Sequence, residues 1–115
     1  WRAGDSRQKA ASGAAFLRIA AWLDGDDTPG HMSIMIDSQG QRGFILGDVL
    51  HNSVQVHETD WVSRADIDPA QTRITRRSVM ERLERDGSLV AAVHLPAPGF
   101  GRVVRVEGRR SWQGV

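Results

Sequence analysis

The 115-residue chain has no cysteine, so disulfides and thiolate metal sites are closed to it. That absence carries no information about redox compartment. No apolar run approaches the roughly 18–20 residues that a membrane span requires. An excess of one charge is also missing: 15 Lys and Arg against 14 Asp and Glu leave +1. This is too little for an electrostatic nucleic-acid binder, and no aromatic–basic interleaving supports one. No internal repeat is present. No uninterrupted apolar segment precedes a small-residue cleavage site, so nothing points to export and a cytoplasmic protein is expected. A chain that begins at Trp1 is expected to be processed, trimmed or part of something longer. What is there, 40% hydrophobic and 25% charged, fits one small globular domain. A chain of this length buries about two thirds of its unfolded surface, enough for a real core.

Along the chain, residues 1–26 form an atypical Ala-rich segment. Between Lys9 and Leu23 the apolar residues Phe16, Leu17, Ile19, Ala20 and Leu23 fall at helical spacings, which predicts a helix interrupted near Gly13. Asp24 to Gly30 reads as an acidic turn. Met32 to Asp37 alternates, with Met32, Ile34 and Ile36 on one face, and Gly43 to Leu46 is an apolar run. Together they predict a hairpin with a buried second strand that stops at Gly47-Asp48. Residues 49–67 are irregular and carry His51, His57 and Trp61. Asp68-Pro69 is a helix start, and Gly87 a helix stop, which predicts a helix from Pro69 to about Asp86. Its apolar stripe is imperfect, and Arg73, Arg76, Arg77, Arg82 and Arg85 read as its wet face. A short strand from Leu89 to Val93 ends on His94. After the Pro- and Gly-rich stretch Pro96–Gly101, Arg102–Val106 and Arg110–Gln113 read as a closing hairpin.

Three features share a place in this layout. Thr28-Pro29-Gly30-His31 precedes a strand, Gly47-Asp48 ends one, and Ala91-Ala92-Val93-His94 ends another. Sites of layered α/β folds gather on loops at strand ends, where the sheet fixes the side chains. Two imidazoles and a carboxylate so delivered suit a borderline cation such as zinc, iron or manganese. Each residue also has an ordinary reading: His31 as a turn residue, Asp48 as a loop former, His94 as a partly buried histidine.

These three motifs, with Pro96-Ala97-Pro98-Gly99-Phe100-Gly101 after the last, resemble the C-terminal half of metallo-β-lactamase-fold hydrolases. The branch most similar in these motifs is that of methyl parathion hydrolase and lactonase-like enzymes. The likeness runs from about Asp27 to Trp112. It implies an α/β fold, the C-terminal half of a four-layered αββα sandwich, with a mixed sheet and flanking helices over residues 27–115. It also implies roles. His31 would complete the histidine shell of a first metal, Asp48 would bridge two metals, and His94 would belong to the second. A metal-bound hydroxide would then attack a lactone, ester or phosphotriester. Zinc is the expected cofactor and a small molecule the expected partner, with neither nucleic acid nor membrane. His51, Trp61 and Phe100 are candidates for the substrate pocket.

Two features depart from that pattern. The His-x-His-x-Asp-His motif that supplies most ligands of such a pair of metals is absent from this chain. A family member would also carry strands, not a helix, ahead of Thr-Pro-Gly-His. The chain therefore reads either as the C-terminal part of a hydrolase or as an inactive remnant or interaction module of the same fold. The sheet face of Met32, Ile34, Ile36, Ile45 and Leu46 would be open or covered by the Ala-rich segment, so self-association through it is expected.

Overall fold

A computed structural model describes residues 31–64 and 66–115, together with the backbone of two earlier strands. Among the described residues, seven strands form one sheet in sequence order: β1 (Gly4–Lys9), β2 (Phe16–Leu23), β3 (Met32–Ser38), β4 (Gln41–Ile45), β5 (Leu89–Ala91), β6 (Phe100–Val106) and β7 (Arg109–Gly114). Neighbours are antiparallel except β4 and β5, which run parallel. A parallel pair needs a crossover. Here it comprises two single turns of 3-10 helix, Gly47–Val49 and Ser53–Val56, and the helix α1 (Pro69–Asp86).

The helix has the predicted ends. Asp68 accepts the Gln71 N–H at 3.0 Å as N-cap, Pro69 opens the first turn, and Gly87 closes the last in the left-handed region. The stripe that looks broken in the sequence is continuous in space. Thr72, Arg76, the adjacent pair Val79 and Met80, and Leu83 are all buried, on one face of the helix. Arg76 thus occupies a core position, and its assignment to a wet face is corrected. Of the others, Arg77 and Arg85 are exposed, while Arg73 and Arg82 are half-buried.

The helical expectation for the N-terminal segment is also corrected over Phe16–Leu23. This stretch is a strand, antiparallel to β3 from Leu17 opposite Ser38 to Leu23 opposite Met32. Alanine's helix preference is a weak prior. The same segment holds Phe16, Ile19 and Trp22, which favour strands, and ladder pairing with β3 decides the outcome. Residues 10–15 and 24–30, including Gly13 and Thr28-Pro29-Gly30, lie outside the described residues.

The core lies between α1 and one face of the sheet. Phe44 from β4, Val90 from β5 and Val103 from β6 meet Val79, Met80 and Leu83 from the helix, with Val49, Leu50 and Val56 from the crossover. Leu46, expected on the open face, is buried in this core. Side chains alternate along a strand, so Leu46 shares its face with Phe44 and not with Ile45. On the opposite face, Met32 is 51% exposed, Ile45 41% and Val106 53%, and no described element covers them. One α layer on one mixed β layer is half of a four-layered sandwich.

Candidate metal centre

Strand register aligns the three sequence-flagged ligands. β3 and β4 pair up to Ile34 opposite Ile45, so His31, just before β3, and Asp48, in the 3-10 turn just after β4, lie at the same end of the sheet. β4 and β5 pair in parallel up to Ile45 opposite Ala91, and His94, three residues after β5, comes to the same end, where its Nε2 lies 2.9 Å from Asp48 Oδ1. The three residues thus sit just beyond the ends of three neighbouring strands, at one end of the sheet.

The loops beyond the strands keep that alignment. Leu46 continues β4 by donating its N–H to the Ala91 carbonyl at 2.9 Å, and the Ser33 hydroxyl holds the Leu46 carbonyl at 3.0 Å. Gly47 then turns with φ +61°, and a Cβ there would lie 2.6 Å from Nε2 of His31. Only glycine permits both the turn and the close packing of the imidazole. On the β5 side, buried Ala92 and Leu95 pin the turn that presents His94. Gly99 folds the Pro-rich loop back onto it, its carbonyl accepting the Ala92 N–H at 2.8 Å.

At the centre stands the Asp48 carboxylate. His94 Nε2 donates to its Oδ1 at 2.9 Å, and His31 Nε2 lies 3.9 Å from its Oδ2. The same His31 nitrogen accepts the Asp48 backbone N–H at 2.9 Å. His51 stacks obliquely on His94, with ring centroids 5.1 Å apart. Asp48, His51 and His94 each offer a donor atom within 4.8 Å of the others. One carboxylate and two imidazoles make a donor set suited to a borderline divalent cation.

The irregular segment behind these residues is held by two buried polar side chains, Gln55 and Arg76. The Gln55 Oε1 atom accepts the N–H groups of His51 at 2.8 Å and Asn52 at 3.1 Å, while its Nε2 donates to the Trp61 carbonyl at 3.0 Å. Arg76 donates from Nε to the Val49 carbonyl at 2.7 Å, and from Nη1 to the carbonyls of Thr59 and Trp61. Burying a cation is costly unless its donors are met, and here carbonyls of the site-bearing loop meet those of Nε and Nη1. The legible signal for Arg76 is its place four residues after Thr72 on the buried stripe. Gln55 has none beyond the Asn52 capping box, in which Asn52 Oδ1 accepts the Val54 N–H at 2.9 Å.

The candidate pocket aromatics stay on the surface. Trp61 is 59% exposed, its backbone carbonyl rather than its ring tying the loop together, and Phe100 is 49% exposed at the start of β6. His57 is half-buried beside exposed Glu58. A polar groove lined by Asp37, Arg42, Asp86 and Arg102 lies at the opposite end of the strands, and its charges are largely paired with one another.

No protein-family model matches the chain, and no curated protein sequence matches it significantly. Solved structures do. The crystal structure of hydrolase AbOPH, in the beta lactamase superfamily, superposes with a TM-score of 0.78 at 28% identity. The match covers 84% of this chain and 34% of that one. AidC, a dizinc quorum-quenching lactonase solved with a product, superposes with a TM-score of 0.76 at 21% identity over 84% of this chain and 33% of its own. The chain therefore spans about a third of the length of each, 34% and 33%. The expected α/β arrangement, part of a metallo-β-lactamase sandwich, is borne out by both.

Proposed function

We propose that this chain is the C-terminal part of a metal-dependent hydrolase, contributing one side of its metal centre, with a lactone, ester or phosphotriester as substrate. The observation that carries this reading is the Asp48 carboxylate, whose two oxygens face different imidazoles, Oδ1 to His94 and Oδ2 to His31. That is the placement of a carboxylate shared by two cations. Further support comes from the neighbours, one a hydrolase and the other a dizinc lactonase.

A bound divalent cation, zinc in the first instance, would make a coordinated water a nucleophile near neutral pH and polarise the substrate's carbonyl or phosphoryl oxygen. This chain's residues do the holding and orienting. Asp48 gives one oxygen to each side, and His94 stands on the Oδ1 side. His31, whose Nε2 accepts the Asp48 amide N–H at 2.9 Å, would hold the cation on the Oδ2 side. The exposed rings of Trp61 and Phe100 are available as apolar walls, and the protein is cytoplasmic in this reading. The open sheet face of Met32, Ile34, Ile36 and Ile45 seats a second layer, or a second copy when the chain is alone.

The second reading, an inactive remnant or interaction module, is favoured by the absence of His-x-His-x-Asp-His from the chain. Calorimetric titration of zinc into the 115-residue chain, beside His94→Ala and Asp48→Asn, separates the two. The hydrolase reading expects binding that either substitution weakens by more than the roughly 10–100-fold of an outer-shell change. No zinc binding, or binding indifferent to both substitutions, would leave the remnant. Assays with a chromogenic ester, a γ-lactone and a phosphotriester then rank the substrate classes.

A further inference from the structure

The side chain of Asp66, in the loop that leads into α1, is 1% exposed. Its Oδ2 accepts the Ser63 N–H at 2.5 Å, closing the short turn from Ser63 to Asp66. Its Oδ1 is buried and accepts no hydrogen bond among the described residues. A carboxylate oxygen so placed is costly unless a donor comes to it. The group facing it is the imidazole of His51, whose own buried Nε2 lies 4.0 Å away. The gap exceeds a hydrogen bond by about 1 Å, within reach of the soft terminal torsions of His and Asp.

From this the structure assigns Asp66 as the positioning residue of His51. Its carboxylate holds the ring as the Nε2–H tautomer and thereby makes His51, through Nδ1, a third donor to a divalent cation beside Asp48 and His94. Neutral imidazole carries one proton, so a carboxylate at one nitrogen sets the lone pair on the other. Metal-binding histidines are held in this way by a carboxylate or carbonyl behind the ring. His51 then belongs to the cation shell and not to the substrate pocket wall expected from the sequence. The donor role rests on the metal reading above, whereas the tautomer does not.

Two measurements test the two parts separately. The first is a long-range proton–nitrogen correlation spectrum of the histidine rings in the metal-free 115-residue chain. It is expected to show His51 as the Nε2–H form, shifting toward Nδ1–H in Asp66→Asn. The asparagine oxygen can still accept the Ser63 N–H, while its amide would donate to Nε2, so the turn is kept and only the direction of the ring contact is reversed. His51 found as Nδ1–H in the wild-type chain, or unchanged in a folded Asp66→Asn, would overturn the proposal. The wild-type spectrum decides even if the variant fails to fold.

The second measurement is zinc affinity. Asp66→Asn is expected to weaken it by roughly 10–100-fold, and His51→Ala at least as much. The double variant should be no weaker than His51→Ala alone, and His57→Ala should bind as wild type does. Additive losses, or full affinity in His51→Ala, would refute the donor role. If His94→Ala also leaves affinity unchanged, it is the metal reading that fails, and the tautomer result still stands or falls alone.

Discussion

The two ends of the sheet handle charge in opposite ways. At the end where β3 turns into β4 and α1 stops, acids and bases meet in pairs. Arg42 bridges Asp86 at 2.8 Å and Asp37 at 3.4 Å, and Arg105 and Arg110 grip Glu84 at 2.5 and 2.9 Å. At the other end, Asp48 and Asp66 face imidazoles, and among the described residues neither is paired with an arginine or lysine. The arginine that does approach, Arg76, is turned onto backbone carbonyls. Salt bridges among the protein's own charges neutralise a surface and leave nothing for a ligand. Carboxylates kept clear of arginine remain available to a cation from outside.

The pKa pattern follows the first end. Glu84 is held below the ordinary carboxylate range, chiefly by hydrogen bonds from Arg105 and Arg110 to its charged form. For Asp86 burial acts to raise the value, but the hydrogen bonds from Arg42 and Arg85 outweigh it and the carboxyl stays low. The Arg105 guanidinium is raised in turn, by its bond to Glu84.

The comparison is broken most severely at the site end. Arg76→Ala strips the donors from three carbonyls of the loop behind Asp48 and His51 and leaves a cavity. Urea unfolding is expected to show a loss of about 3–5 kcal/mol. Its neighbour Arg77, paired with Asp60 at 2.6 Å on the open surface, is the control. Arg77→Ala is expected to cost less than about 1 kcal/mol.

At the paired end a smaller, pH-dependent effect is expected. A carboxyl with a lowered folded pKa contributes stability that is fully present above its unfolded value, about 4.3 for Glu. That contribution disappears as pH falls through the lowered folded value. Glu84→Gln removes it, so the variant should lose up to about 1 kcal/mol at neutral pH. Its stability should then fall less steeply than wild type below about pH 4. Chemical denaturation at a series of pH values reads both.

The open face between the ends gives the smallest stability effect. Ile45→Lys puts a charge on a residue already 41% exposed, and unfolding free energy should change by no more than about 0.5 kcal/mol. If self-association runs through this face, sedimentation velocity should show the wild-type chain as larger species and the variant shifted toward monomer. Equal sedimentation of the two would remove the face from the association.

Local chemistry made much of this legible. The N-cap at Asp68, Pro69 and the left-handed Gly87 set the ends of α1, because capping depends on neighbours in sequence. The β3–β4 hairpin was equally readable from alternation. Phe16–Leu23 was misread because its periodicity fits both states and only pairing with β3 decides between them. Arg76 was misread because an arginine's burial depends on which carbonyls surround it, and those come from residues 49, 59 and 61 of another segment.

The residue types at the strand ends, His31, Asp48 and His94, were determined by the sequence alone, and so was the kind of cation they suit. That chemistry belongs to the side chains themselves. The tertiary structure decided which of them meet: the common register of β3, β4 and β5, the facing of Asp48's two oxygens to different histidines, and Asp66 beside His51. Such convergence depends on hydrogen-bond ladders between strands and on a crossover of more than forty residues, from Leu46 to Ser88. No local propensity records where a chain returns after so long a path.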